Sequence, residues 1–208
     1  LANQNWGNIL IPAQTVWSGA GTALSTATTA TISPRPTPNT ADYNAFVPAG
    51  GFYPGMLIAV VARGFVTTTT TSTTLTFFLA SNIGNTGTTY VTLATTGGIS
   101  TGTTAMTGIQ WKLEALIRCT AVATSGTLAT QGEFGFYGLL ASGAALAANP
   151  QALTTGTSIG NAFPLPAISG ETTATVDTTQ TQGIALRATL AGANATVQCT
   201  QWLPTQLN

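Results

Sequence analysis

The stretch IQWKLEALIRCTAVATSGTLATQGEFGFYGLL, Ile109 to Leu140, decides the fold. Apolar and polar residues alternate with a period of two on both sides of ATSG (123–126). That is the pattern of two half-buried strands joined by a tight turn, whereas an amphipathic helix repeats every 3.6 residues. With ATSG as the turn, Trp111 is expected opposite Gly138, Leu113 opposite Phe136, Ala115 opposite Phe134, Ile117 opposite Gly132 and Ala121 opposite Leu128. Large side chains then meet small ones on one face. The other face carries Lys112, Glu114, Leu116 and Arg118 against Tyr137, Gln131 and Glu133. It reads either as a solvated exterior with cross-strand ion pairs or as a contact patch for another subunit.

The same alternation runs outward along the chain through MLIAVVARGFVT (56–67), TTLTFFLAS (73–81), TTYVTLAT (88–95), TTATVD (172–177), QGIALRATLA (182–191) and ATVQCTQWL (195–203). Turn clusters such as SNIGNTG separate these runs and no helical pattern intervenes. The expected class is all-β, a jelly-roll-like antiparallel β-sandwich over residues 51–208. Core candidates are Trp111, Leu113, Ile117, Phe134, Phe136, Leu186 and Val197. A second hairpin is expected over 183–203, turned by AGAN (191–194), with Ile184, Leu186, Ala188 and Leu190 facing Gln201, Cys199, Val197 and Ala195. Regular alternation then points Cys119 and Cys199 inward, and Arg187 and Trp202 outward. Residues 1–50, with SPRPTP (33–38) leading to VPAGGFYPG (47–55), read as a Pro/Gly-stiffened arm. The nearly charge-free connection 138–171 reads as a long contact-making loop.

Composition bounds the function. Among 208 residues there are five basic and five acidic ones and no histidine, and charged residues are 5% of the chain; an ordinary domain has about 25%. The 44% hydrophobic content is that of a folding chain, and the length suits one core. Zero net charge supplies no footprint for nucleic acid or an anionic membrane. No apolar run reaches membrane-spanning length, and LANQNWGNIL (1–10) lacks the basic region and apolar core of a signal peptide. The run VTTTTTSTTLTFFLAS (66–81) shows what replaces charge. Threonine is β-branched, suits a pleated surface, and satisfies its hydroxyl with water or backbone without an ionic group. A surface so poor in charge lacks the repulsion that keeps free proteins apart, which implies that partners cover much of it.

Catalytic chemistry has little to build on. Without histidine there is no Ser-His triad and no His-based metal site, and GNTGTT and SGAGTA lack the context of a phosphate loop. Glu114 and Glu133, expected diagonally on one strand face, are the one carboxylate pair available to a glycosidase, but basic residues flank them and a flat face is no cleft. Asp177 in TVDTT reads as a turn anchor rather than a calcium ligand. The two cysteines read as buried free thiols, with a single bridge as the alternative. No catalytic, cofactor-binding or metal-ligating residue is expected. The aromatic residues Trp6, Trp17, Tyr43, Phe46, Phe52 and Tyr53 in the N-terminal part, Phe163 in the long loop and Trp202 are the interface candidates. They either pin the arm to the sandwich or a neighbouring subunit, or serve as a carbohydrate platform.

WKLEALIRCTAVATSGTLATQGEF (111–134), FYPGMLIAVVARGFVTT (52–68), TVDTT (175–179) and GANATVQCTQWLPTQLN (192–208) resemble a family of small virion structural proteins of tailed bacteriophages, jelly-roll proteins of the head-decoration or minor capsid type. The resemblance covers most of residues 45–138 and 172–208, and includes no catalytic signature. It implies a non-enzymatic capsid decoration (cement) protein on the exterior of the assembled head, commonly a homotrimer. Its partners would be the major capsid protein and sister copies, with no direct nucleic acid and no membrane. Rival readings are a single-jelly-roll shell or tail protein of a virion, and a glycan-binding adhesion module.

Overall fold

The computed structural model describes residues 21, 23–33, 46–83, 89–103, 105–137, 147–148, 161–165 and 171–207. They form strands β1 (Thr29–Thr31), β2 (Phe46–Val47), β3 (Leu57–Thr68), β4 (Thr74–Ile83), β5 (Tyr90–Thr95), β6 (Ile99–Ser100), β7 (Met106–Ala121), β8 (Gly126–Tyr137), β9 (Ala147–Ala148), β10 (Asn161–Leu165), β11 (Thr172–Val176), β12 (Gln182–Leu190) and β13 (Ala195–Gln206). Two antiparallel sheets pack face to face. One runs β10-β8-β7-β3-β13, with β11 continuing the β10 edge along β8. The other runs β1-β12-β4-β6-β9, with β2 beside β12 and β5 beside β4. The chain crosses between the sheets after β2, β3, β6, β8, β9, β11 and β12.

Alternation decides which side chains meet between the sheets. Trp111, Leu113, Ile117, Phe134, Phe136, Leu186 and Val197 are all in the buried cluster. Its centre is aromatic: Phe77 from β4 reaches across to Trp111 and Phe134, with ring centroids 5.0 and 4.3 Å apart. Phe136 stands edge-on to Phe134 at 5.0 Å. Such tilted contacts suit aromatic quadrupoles and add to the burial of large apolar area.

The β7–β8 hairpin is present, shifted by two residues from its expected register. Trp111 pairs with Phe136, Leu113 with Phe134, Ala115 with Gly132 and Ile117 with Thr130. The loop closes one residue tighter, where Gly126 donates to the Ala123 carbonyl at 3.0 Å. A bulge between Cys119 and Ala121 absorbs a second residue. An even shift keeps every side chain on its face. The large-against-small pairing is lost, and the large side chains pack against Phe77 of the opposite sheet instead.

The second hairpin does not form. β12 pairs with β4, β1 and β2, while β13 pairs with β3. AGAN is therefore a corner between sheets, held where Ala191 donates to the Thr74 carbonyl (2.9 Å) and Thr69 to that of Asn194 (3.0 Å). Ile184, Leu186, Ala188 and Leu190 still face the core. Arg187 and Thr189 belong to the outer face of one sheet, and Thr196, Gln198 and Thr200 to that of the other.

Trp202 is buried at 1% exposure, not outward. Cys199 pairs with Gly64 and Gln201 with Arg63, so Thr200 is an extra residue in β13. A bulge turns two consecutive side chains the same way and reverses the phase beyond it. Trp202 and Pro204 consequently point inward.

Part of the expected arm belongs to the sandwich. Leu24, Ile32 and Val47 are core residues, and β1 and β2 pair with β12. Leu24 exchanges two backbone hydrogen bonds with Val197 (2.8 and 2.9 Å) and Gly21 donates to Cys199 (2.7 Å), which covers that length of the β13 edge. Residues 1–20 and 34–45 lie outside the described residues. Within the expected 138–171 loop, β9 pairs with β6 and β10 with β8. Pro164 in β10 hid that strand in the sequence, but proline is tolerated on a sheet edge, where no ladder donor is needed.

Candidate functional site

Threonine hydroxyls do the joining that charge does elsewhere. At the corner between β3 and β4, Thr67 Oγ1 accepts from Gly108 N (3.2 Å) and Thr68 Oγ1 from Met106 N (3.1 Å). Thr73 N donates to Thr101 Oγ1 at 2.9 Å, and Phe77 N to Thr96 Oγ1 at 3.1 Å. Each hydroxyl satisfies a backbone group that the ladder leaves out, without bringing an ion into the interior.

Most of the charge stands on the outer face of the six-stranded sheet. Arg63 and Lys112 are cross-strand partners, and so, one row along, are Val61, Glu114 and Glu133. The two glutamates are thus directly opposite rather than diagonal. Lys112 Nζ lies 2.6 Å from Glu114 Oε1. Arg118 Nη2 reaches both carboxylate oxygens of Glu171, at 2.8 and 3.0 Å. Arg63, Lys112 and Arg118 balance Glu114, Glu133 and Glu171, so the face is neutral as a whole. Half-buried Leu57, Val61, Leu116 and Leu203 stand in the same outward positions. On the outer face of the other sheet, Arg187 lies over the Tyr90 ring at 3.9 Å, a cation–π contact.

At the Thr200 bulge this face opens into a groove of about 480 Å³ lined by Arg63, Gly64, Phe65, Gln110, Trp111, Lys112, Thr200 and Gln201. Phe65 is 39% exposed there, unusual for a phenylalanine. Arg63 has no carboxylate within ion-pair distance among the described residues. Neither Glu114 nor Glu133 lines the groove. The groove residues all lie in strands legible from the sequence. Their grouping depends on β3 lying between β7 and β13, and on one inserted residue, neither of which alternation reveals.

The other candidates sort by burial. Trp6, Trp17 and Tyr43, and the side chains of Phe46 and Phe163, lie outside the described residues. Phe52 and Trp202 are core, and Tyr53 is half-buried with its hydroxyl accepting from Gln206 Nε2 at 3.1 Å. Phe52 and Trp202 are therefore removed from any interface, and the carbohydrate platform loses Trp202.

Both cysteines are free and buried. Cys119 donates its amide to Met56, while Cys199 pairs with Gly64 at the far end of β3. Eight residues of strand separate these positions, about 27 Å, far beyond the reach of a disulfide. Burial pushes the Cys199 thiol up to about 12 and also raises Cys119. Neither thiol is poised as a nucleophile. Asp177 anchors a turn: Thr179 donates its hydroxyl and its amide (3.1 Å) to Oδ1, and Gln180 Nε2 donates to Oδ2 at 2.7 Å. The Thr179 hydroxyl is the largest cause of a lowered Asp177 pKa. Among the described residues no group of three or more Cys, Asp or Glu side chains is placed to hold a metal, and no helix is long and apolar enough to cross a membrane. No family model, curated protein or solved structure matches the chain.

Proposed function

We propose that the protein is a non-enzymatic virion structural protein, a capsid decoration (cement) protein that binds the exterior of an assembled phage head. The observation that carries this reading is the neutral outer face of the six-stranded sheet, where Leu57, Val61, Leu116 and Leu203 stand among self-balancing charges. Apolar area gives a docking face its affinity at roughly 25 cal/mol per Å². Balanced charges add register without attracting polyanions. The resemblance of residues 45–138 and 172–208 to phage head proteins supplies the partner, the major capsid protein, and the homotrimer as the expected assembly. The threonine-rich, charge-poor strands favour the same use, since they can be covered without removing ions from water.

The test is co-sedimentation of the purified chain with empty heads. Wild type is expected to pellet with heads and to elute as an oligomer by light scattering, and Val61→Arg is expected to remain in the supernatant while folding normally. A chain that neither pellets with heads nor self-associates overturns the reading.

A further inference from the structure

We infer that the groove at the Thr200 bulge is a binding site for an acidic saccharide unit, a pyranose ring that carries a carboxylate. This inference stands apart from the decoration role, since it needs neither a capsid nor an oligomer.

Three features of the groove point to that ligand. The first is a cation without a carboxylate partner. Arg63 is exposed at the groove with none within ion-pair distance among the described residues, while Lys112 beside it is engaged by Glu114. A guanidinium presents a planar fork that matches a carboxylate.

The second is an exposed aromatic side chain next to that cation. Phe65 pairs with Gln110 and follows Arg63 by two residues, so the two side chains stand on one face about 7 Å apart. A ring at 39% exposure offers an apolar face to the C–H side of a pyranose. The third is the set of amides and a hydroxyl facing them. Gln110 and Gln201 each carry both donors and an acceptor, the pairing that sugar hydroxyls need, and Thr200 adds a hydroxyl that donates to the Arg63 carbonyl at 3.3 Å.

Size and origin agree. About 480 Å³ falls within the range of small-ligand sites. The depression exists because Thr200 is inserted, turning Thr200 and Gln201 outward together. Bulges often re-aim side chains at functional sites.

The experiment is an amide NMR titration of the full chain with glucuronate, with glucose as the neutral control and a glutamate-rich peptide as the rival ligand. Glucuronate is expected to shift the side-chain amides of Gln110 and Gln201 saturably, and glucose at least about tenfold more weakly. Arg63→Gln is expected to weaken glucuronate binding about tenfold, the loss of one charge-assisted contact. Phe65→Ser is expected to weaken both sugars. Deletion of Thr200, which restores regular alternation with Gln201 outward and Trp202 inward, is expected to abolish the shifts. Absence of saturable shifts, equal response to glucose, or indifference to Arg63→Gln overturns the assignment. Arg63-dependent binding of the peptide without glucuronate binding also overturns it, giving the groove to a protein partner. Because Arg63→Gln and Phe65→Ser alter exposed side chains, the assignment stays testable even if the deletion variant fails to fold.

Discussion

Gly64 and Trp111 are cross-strand partners on the inner face of the six-stranded sheet, and the indole occupies the space a side chain at residue 64 would need. A Cβ there would lie 2.5 Å from Trp111 Cζ2 and overlap the Gln198 carbonyl oxygen. Gly64→Ala is therefore expected to cost about 2–3 kcal/mol through overpacking against backbone that cannot retreat. Gly50, at φ +71° with nothing within 4 Å, is the control. Alanine there is expected to cost about 1–2 kcal/mol from backbone conformation alone. Urea midpoints of the two variants check the pair.

Thr178 holds the β7–β8 turn from outside the hairpin. Its buried hydroxyl accepts from Ala123 N at 2.9 Å and lies 3.1 Å from the Ala123 carbonyl, to which it donates. Thr178→Val is expected to lower stability by about 1–2 kcal/mol, because the Ala123 amide loses its partner in a site that excludes water. Hydrogen exchange at Ala123 is expected to accelerate in the same variant, and unchanged exchange would refute this role for the hydroxyl.

The Cys199 thiol makes stability depend on alkaline pH. Below pH 9.0 it is protonated in both folded and unfolded chains; between there and about 12 only the unfolded chain ionises. The unfolded state then binds fewer protons, so stability falls as pH rises through that window, by on the order of 4 kcal/mol in all. Cys199→Ala is expected to flatten this part of the slope in denaturation curves taken from pH 8 to 11. Native wild type is expected to resist thiol reagents at pH 8 until it unfolds.

Arg118 and Glu171 form a two-oxygen ion pair, yet their side chains are 49% and 38% exposed. Arg118→Gln is expected to cost less than about 1 kcal/mol at low ionic strength and nothing measurable in 1 M NaCl, where screening removes the attraction. A larger or salt-independent loss, read from thermal melts, would show that Arg118 acts through packing over Ala129.

Errors in the sequence reading have one physical origin. Alternation reports which way a side chain points and is insensitive to even shifts, so it puts Leu113 on the correct face opposite the wrong partner. It fails where one residue is inserted, because nothing in ATVQCTQWL marks Thr200 as extra, and regular alternation therefore points Trp202 outward. It also cannot distinguish a hydrogen-bonded neighbour from a strand facing across the core. Leu186 and Cys199 have the same pattern in either arrangement.

The sequence by itself determined the all-β class, the faces of β7, β8 and β12, the inward thiols and the scarcity of ionic chemistry. Those follow from local properties: side-chain period, β-branching and residue type. Only the tertiary structure decided the hairpin register, the inter-sheet corner at 191–194, the incorporation of β1 and β2, and the meeting of Arg63, Phe65, Gln110 and Gln201 in one groove. These depend on which strands lie side by side, a non-local choice set by packing of the whole core around Phe77, Trp111 and Phe134.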